Sequence, residues 1–138
     1  MARQFTLGKK ERLKSRKQIE QLFAEGKNFP LAPFRIYFLT SLLTNHQLPI
    51  ILQFGVGVSG KNFKRAVDRN RIKRLTREAY RLQKQELHEI LKQKKIQLNV
   101  FLIYTSKEMP EFNIIKEKVN VALNKLIKII HESVSPNT

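Results

Sequence analysis

Between Lys61 and Lys84 the chain carries ten lysines and arginines against two acids, Asp68 and Glu78. Guanidinium groups pair bidentately with phosphate oxygens, and a helix start adds N–H donors that point at an anion. On a helical wheel of about 100° per residue starting at Arg65, the cations Arg69, Lys73, Arg77 and Arg81 fall at about 40° to 160°, with Arg74 near 180°. Ile72, Leu75, Ala79 and Leu82 fall at about 260° to 340° and make a core stripe. The cations thus form one ridge along a single helix running from Arg65 to Lys92. Like charges four residues apart destabilise an isolated helix by roughly 0.3 kcal/mol per pair, so the ridge asks for a polyanion to offset it. A charge run usually means a solvated face, but this one is nearly uncompensated, and nucleic-acid contact is the reading.

Other chemistry has little to work with. His46, His88 and His131 lie in three different elements, with no H-E-x-x-H or carboxylate-rich signature, and read as exposed polar residues rather than ligands or bases. Asp68 sits beside Arg65, Arg69 and Arg71, where an acid at a helix start is stabilised by the dipole and by its neighbours. Cysteine is absent, which removes disulfides, thiol nucleophiles and cysteine-based metal sites. The expectation is no catalytic residue, no metal site, no cofactor bound by the protein alone and no small-molecule substrate.

Composition agrees. The 138 residues hold 27 Lys and Arg against 11 Asp and Glu, a formal charge of +16, and 41% hydrophobic residues in periodic blocks. One globular domain over 1–138 is expected, with a basic leader over 1–11 and a tail over 133–138 both flexible. The longest apolar run, Leu48 to Val58, is broken by Pro49, Gln53, Gly55 and Gly57 and is too short to span a bilayer. Met1 to Lys17 carries seven basic residues and one acid with no apolar stretch following, which is not a secretory signal; a cytoplasmic protein without a membrane partner is expected.

The elements that must position the ridge can be read in order. Ser15 and Gln18 have the form of a capping box opening a short helix through Ile19, Leu22 and Phe23, with Gly26 as its stop. Phe34, Ile36 and Phe38 alternate with Arg35, Tyr37 and Leu39 in a first strand. Thr44 to Gln47 turns into a second strand over Ile50 to Ser59, where Gly55 and Gly57 leave one face open to close backbone approach. Leu98 to Tyr104 is a third strand, and a fourth short one is placed near Leu48 to Leu52. Ile115, Val119, Ala122, Leu126 and Ile129 mark a last amphipathic helix. The fold class is α+β, a single domain packing three to four strands and three helices as one layer.

One combination of motifs is specific. Phe54-Gly55-Val56-Gly57-Val58-Ser59, Lys61, Ala66-Val67, Arg69-Asn70-Arg71-Ile72-Lys73-Arg74-Leu75 and Arg77-Glu78-Ala79 together resemble the signature of the bacterial ribonuclease P protein subunit. Arg12-Leu13-Lys14, Phe23 and Gly26 match that family's leading segment, so the resemblance spans about Arg12 to Arg81. It implies an α–β sandwich, with a small mixed sheet and a left-handed βαβ crossover through the R-N-R helix, an exception to the usual hand. It also implies a protein that binds a large catalytic RNA and the 5′ leader of precursor tRNA, supporting endonucleolytic 5′ maturation. In that family the RNA, not the protein, holds the Mg²⁺ ions and cuts.

Carried over by residue, the resemblance puts Arg69, Asn70, Arg71, Lys73, Arg74 and Arg77 against the catalytic RNA, with Lys61, Lys64 and Arg65 extending the contact. Phe23, Phe34 and Tyr37 match the aromatics of its leader cleft, where rings stack unpaired bases. Phe23 and Phe34 suit core packing equally well, whereas Tyr37, opposite in strand phase to Ile36, suits the open face. Ile19 stands where the family often has an aromatic, and the loop Ser59 to Ala66 is one residue longer than the family pattern and lacks its Gly-Asn pair. A structural RNA-binding protein, such as a ribosomal protein, shares the charge and size; a helix-turn-helix is disfavoured by the length of the ridge helix.

Overall fold

A computed structural model describes residues 11–42 and 51–133. Four strands, β1 (Lys27–Leu31), β2 (Phe34–Leu42), β3 (Leu52–Val58) and β4 (Ile96–Tyr104), form one sheet in the order β1-β2-β4-β3. β1 to β2 and β2 to β4 are antiparallel, and β3 to β4 is parallel, with Gly55 opposite Phe101 and Val58 opposite Tyr104. The helices are α1 (Arg16–Glu25), α2 (Ala66–Gln83), α3 (Gln85–Lys94) and α4 (Phe112–Ser133). The mixed sheet and the α+β class are as expected, and the parallel β3–β4 pair is joined through α2 and α3.

Strand β4 shows why the sheet has two sides: Ile96, Leu98, Val100, Leu102 and Tyr104 are buried, and the residues between them are half-buried. The buried side meets Ile72 and Tyr80 of α2, Leu87 and Leu91 of α3, and Ile115, Val119 and Leu126 of α4 in one core. The Tyr80 ring stacks on Phe54 of β3 at 3.9 Å and 7°. Each fully buried Leu, Ile or Val contributes up to about 1.5–3 kcal/mol relative to exposure. Helix α1 lies on the opposite side, where Phe23 meets Tyr37 and Phe101.

Ser15 caps α1, its Oγ accepting from the Gln18 amide at 3.3 Å, and Gly26 closes it with an N–H to the Leu22 carbonyl. A Cβ at Gly26 would stand 2.5 Å from the Leu22 oxygen and 2.6 Å from the Phe38 oxygen, so only glycine lets the chain turn directly from α1 into the sheet.

Several expectations need correction. Among the described residues the fourth strand is Lys27–Leu31, and of the one expected near Leu48 to Leu52 only Ile51 and Leu52 are described, with Leu52 beginning β3. Strand β1 holds Pro30, which it accommodates as an edge strand, where a missing N–H costs no ladder bond. The ridge helix is two helices joined at Lys84, giving four among the described residues. At that joint the Gln83 side-chain amide donates to the Ala79 carbonyl and to the Lys116 carbonyl of α4, and Lys84 turns inward to Glu11. The buried face of α2 is Ile72, Thr76, Ala79 and Tyr80, while Leu82 is 43% exposed. Thr76 is accepted in the core because its hydroxyl donates to the Ile72 carbonyl at 2.8 Å. Likewise Ile130, rather than Ile129, is fully buried at the end of α4. Glu11 and Ser133, expected in the leader and tail, are among the described residues. The expected turn over Thr44 to Gln47, most of Leu48 to Leu52, residues 1–10 and 134–138, and His46 lie outside the described residues.

Candidate nucleic-acid interface

Residues three or four apart along α2 present one surface. Val67, Asn70, Arg71, Lys73, Arg74, Arg77, Glu78 and Arg81, together with Arg12, line an open groove of about 740 Å³. Six of these nine side chains are cations and one is a carboxylate. Glu78 is engaged by the Arg81 guanidinium through Nε at 3.1 Å and through Nη2. Arg77 is part-buried, and burial together with the nearby Arg12 guanidinium holds its pKa below the ordinary arginine value. It remains a cation, so the groove keeps two guanidiniums close together where a phosphate would relieve both. The exposed pair of Arg65 with Asp68, at 3.9 Å, adds little.

The loop ahead of α2 is built by its own hydrogen bonds. The Ser59 carbonyl accepts from the Asn62 and Phe63 amides, and Ser59 Oγ accepts from the Lys61 amide. Asn62 Nδ2 donates to the Thr105 carbonyl, and the buried Phe63 ring lies 6.2 Å from that of Tyr104. Arg69 Nη1 donates to the Phe63 and Lys64 carbonyls, both at 2.8 Å. Lys61, Lys64 and Arg65 are left exposed.

Across the sheet, the Phe23 ring of α1 sits edge-on to Tyr37 at 4.8 Å and to Phe101 at 5.6 Å. The Phe101 ring lies over the two glycines of β3: a Cβ at Gly55 would approach it to 2.6 Å and one at Gly57 to 3.1 Å. Phe23 is 43% exposed, so the cluster is an open aromatic surface and not core. Phe34 is different. It is 2% exposed, on the buried side of the sheet, with its ring 5.5 Å from Tyr104. Its placement in a cleft is therefore corrected to the core, because it shares strand phase with Ile36 and Phe38. Arg12, Arg81 and Phe101 were not foreseen as site residues. Arg81 was on the ridge by the wheel and Phe101 follows from alternation in β4, but nothing local in the sequence carries Arg12 to α2.

Arg12 and Leu13 join the two surfaces. Arg12 forms a parallel bridge with Phe54, and the Leu13 amide donates to the Phe54 carbonyl at 2.9 Å. The Leu13 carbonyl presses on Gly55, where an added Cβ would stand 2.9 Å from it.

Residues 7–127 match the family model for ribonuclease P. The chain belongs to the ribonuclease P protein family. The ribonuclease P protein component of Porphyromonas gingivalis is 35% identical over 133 residues, covering 96% of this chain and 95% of that protein. The component from Chlorobium phaeobacteroides is 28% identical over 128 residues, 88% of each chain. Among solved structures, the ribonuclease P protein of Thermotoga maritima superposes with a TM-score of 0.62 at 26% identity, over 83% of this chain and 96% of that one. That of Staphylococcus aureus, at 21% identity, shares the fold with a TM-score of 0.58 over 86% and 95%. Family membership carries a role in tRNA 5′ processing and partnership with the ribonuclease P RNA. Among the described residues, no three His, Asp or Glu side chains cluster to hold a metal ion, and no helix is long and apolar enough to cross a membrane.

Proposed function

We propose that this chain is the protein subunit of a ribonuclease P ribonucleoprotein, contacting the catalytic RNA along the α2 groove and the 5′ leader of precursor tRNA on the aromatic side of the sheet. The observation that carries this reading is the segment Arg12-Leu13, which places a cation in the groove and backbone beneath the aromatic surface at once. Arg71, Lys73, Arg74 and Arg77 neutralise phosphates and hold the RNA in register; they specify no sequence. Phe23, Tyr37 and Phe101 offer ring faces and edges to unpaired leader bases, each stack contributing about 1–3 kcal/mol. Cleavage and its Mg²⁺ ions belong to the RNA in this reading, and the protein's residues position substrate only.

Reconstitution tests it. The purified protein is mixed with a bacterial ribonuclease P RNA, and cleavage of a 5′-extended precursor tRNA is followed at low magnesium, beside RNA alone and protein alone. Stimulation in the mixture only is expected. Tight RNA binding without stimulation would favour a structural RNA-binding protein, and cleavage by the protein alone would overturn both.

A further inference from the structure

The first arginine of Arg69-Asn70-Arg71 is turned away from its neighbours. Asn70 and Arg71 line the groove, whereas Arg69 does not; its Nη1 bridges two consecutive backbone carbonyls, Phe63 and Lys64, at the entry to α2. That entry has no side-chain cap of its own, since the N-cap position is Arg65 and its side chain makes no capping bond. The remaining ties hold the loop on either side, with the Asn62 and Phe63 amides on the Ser59 carbonyl and the Arg65 carbonyl accepting from the Asp68 and Arg69 amides, while the Phe63 and Lys64 carbonyls between them are taken by the Arg69 side chain. Both bonds leave one terminal nitrogen of the guanidinium, and a lysine side chain, one atom shorter, brings its ammonium short of that position.

We infer that Arg69 is a positioning residue, fixing the loop so that Lys61, Lys64 and Arg65 meet RNA phosphates at the N-terminal end of α2, and is not itself a phosphate contact. The inference rests on the RNA-interface reading for its consequence, but the hold of Arg69 on the loop can be measured without RNA.

Limited trypsin digestion of the free protein reads the loop directly, because Lys61, Lys64 and Arg65 are its cleavage sites. Arg69→Ala is expected to speed cleavage at these bonds by about tenfold or more while cleavage after Lys92 and Lys94 is unchanged. Arg69→Lys, which keeps the charge and a helix-forming side chain, is expected to do the same and serves if the alanine variant does not fold. Unchanged loop cleavage in the folded variant would overturn the inference.

The second arm titrates ribonuclease P RNA with wild type, Arg69→Ala, the triple variant Lys61→Ala, Lys64→Ala, Arg65→Ala, and all four changes combined. Arg69→Ala is expected to weaken binding by about fivefold or more in the wild-type loop and by less than about twofold in the triple variant. Equal losses in both backgrounds, with the slope of log affinity against log salt reduced by about 0.7–0.9, would make Arg69 a direct phosphate contact and overturn the positioning role. If the triple variant binds as tightly as wild type, the RNA reading of this loop fails, and trypsin alone decides whether Arg69 holds it.

Discussion

Lys84, at the joint of α2 and α3, pairs with Glu11 of the N-terminal segment, its side chain only 8% exposed against 39% for the carboxylate. The pair ties down the segment that puts Arg12 in the groove and Leu13 on β3. Glu11→Gln would leave a buried ammonium without its counter-charge, at a cost of about 1–3 kcal/mol. Lys84→Met, which removes the charge and keeps the length, is expected to lose less. Urea midpoints at constant m-value check both, and a Glu11→Gln midpoint equal to wild type would mean the pair contributes nothing net.

Gly55 is the crossing point of the two surfaces. An alanine Cβ there would stand 2.6 Å and 2.8 Å from the Phe101 ring and 2.9 Å from the Leu13 carbonyl, so both ring and backbone must move. Gly55→Ala is expected to destabilise the fold by about 1–3 kcal/mol and to displace the aromatic surface. In the reconstituted ribonucleoprotein it should reduce affinity for 5′-extended tRNA more than for mature tRNA. Gly57→Ala, with its nearest approach 3.1 Å and to side-chain atoms only, is expected to be milder. Equal behaviour of the two variants would disconnect the Leu13 contact from the effect.

Local patterns explain what could be read in advance. Ser15 and Gly26 bracket α1 because capping chemistry is local, and the Gly55-x-Gly57 face was legible because period 2 fixes which side a strand residue takes. The helix joint at Lys84 was hidden because its causes, Glu11 and the Lys116 carbonyl, are far away in sequence. The core face of α2 was misplaced toward Leu82 because hydrophobicity alone excludes Thr76, whose hydroxyl is satisfied within its own helix, and undervalues Tyr80, which stacks on Phe54. Strand β1 was missed because its pattern holds a proline that only an edge position tolerates. Arg12 belongs to a motif legible in the sequence, but its place beside Arg77 is a tertiary fact.

The Tyr80 hydroxyl is buried with no hydrogen-bond partner among the described residues. Burial, with a lesser push from the Glu11 carboxylate, raises its pKa well above 10.0. In the unfolded chain the phenol ionises near its ordinary value, while in the fold it stays protonated. Its contribution to stability is therefore complete below about pH 10 and is lost as pH rises toward the folded value, at up to about 1.4 kcal/mol per pH unit. Tyr104, raised chiefly by burial, adds in the same direction. Tyr80→Phe is expected to change stability at pH 7 by less than about 1 kcal/mol, since no hydrogen bond is lost, and to flatten the decline above pH 10. Denaturant titrations of both proteins from pH 7 to 11 check this; parallel curves would mean that Tyr80 ionises as easily folded as unfolded.

Two guanidiniums, Arg12 and Arg77, line the groove, where burial first and the Arg12 charge second hold the Arg77 pKa down, and the whole chain carries +16. An anion between them binds the folded chain in preference to the unfolded one, and at ten times its Kd adds about 1.4 kcal/mol. For a domain of this size that raises the melting temperature by about 4–6 °C. Millimolar sulfate is expected to do so relative to chloride at equal ionic strength. Arg12→Met removes one jaw of the site and relieves the repulsion, so it should melt at or above wild type in chloride yet gain less than half as much from sulfate. Lys128→Met, on the exposed side of α4, removes the same charge elsewhere and is expected to keep the full sulfate gain. Equal gains in Arg12→Met and wild type would place the anion away from this pair, and no gain in any of the three would show that anion binding does not stabilise the fold.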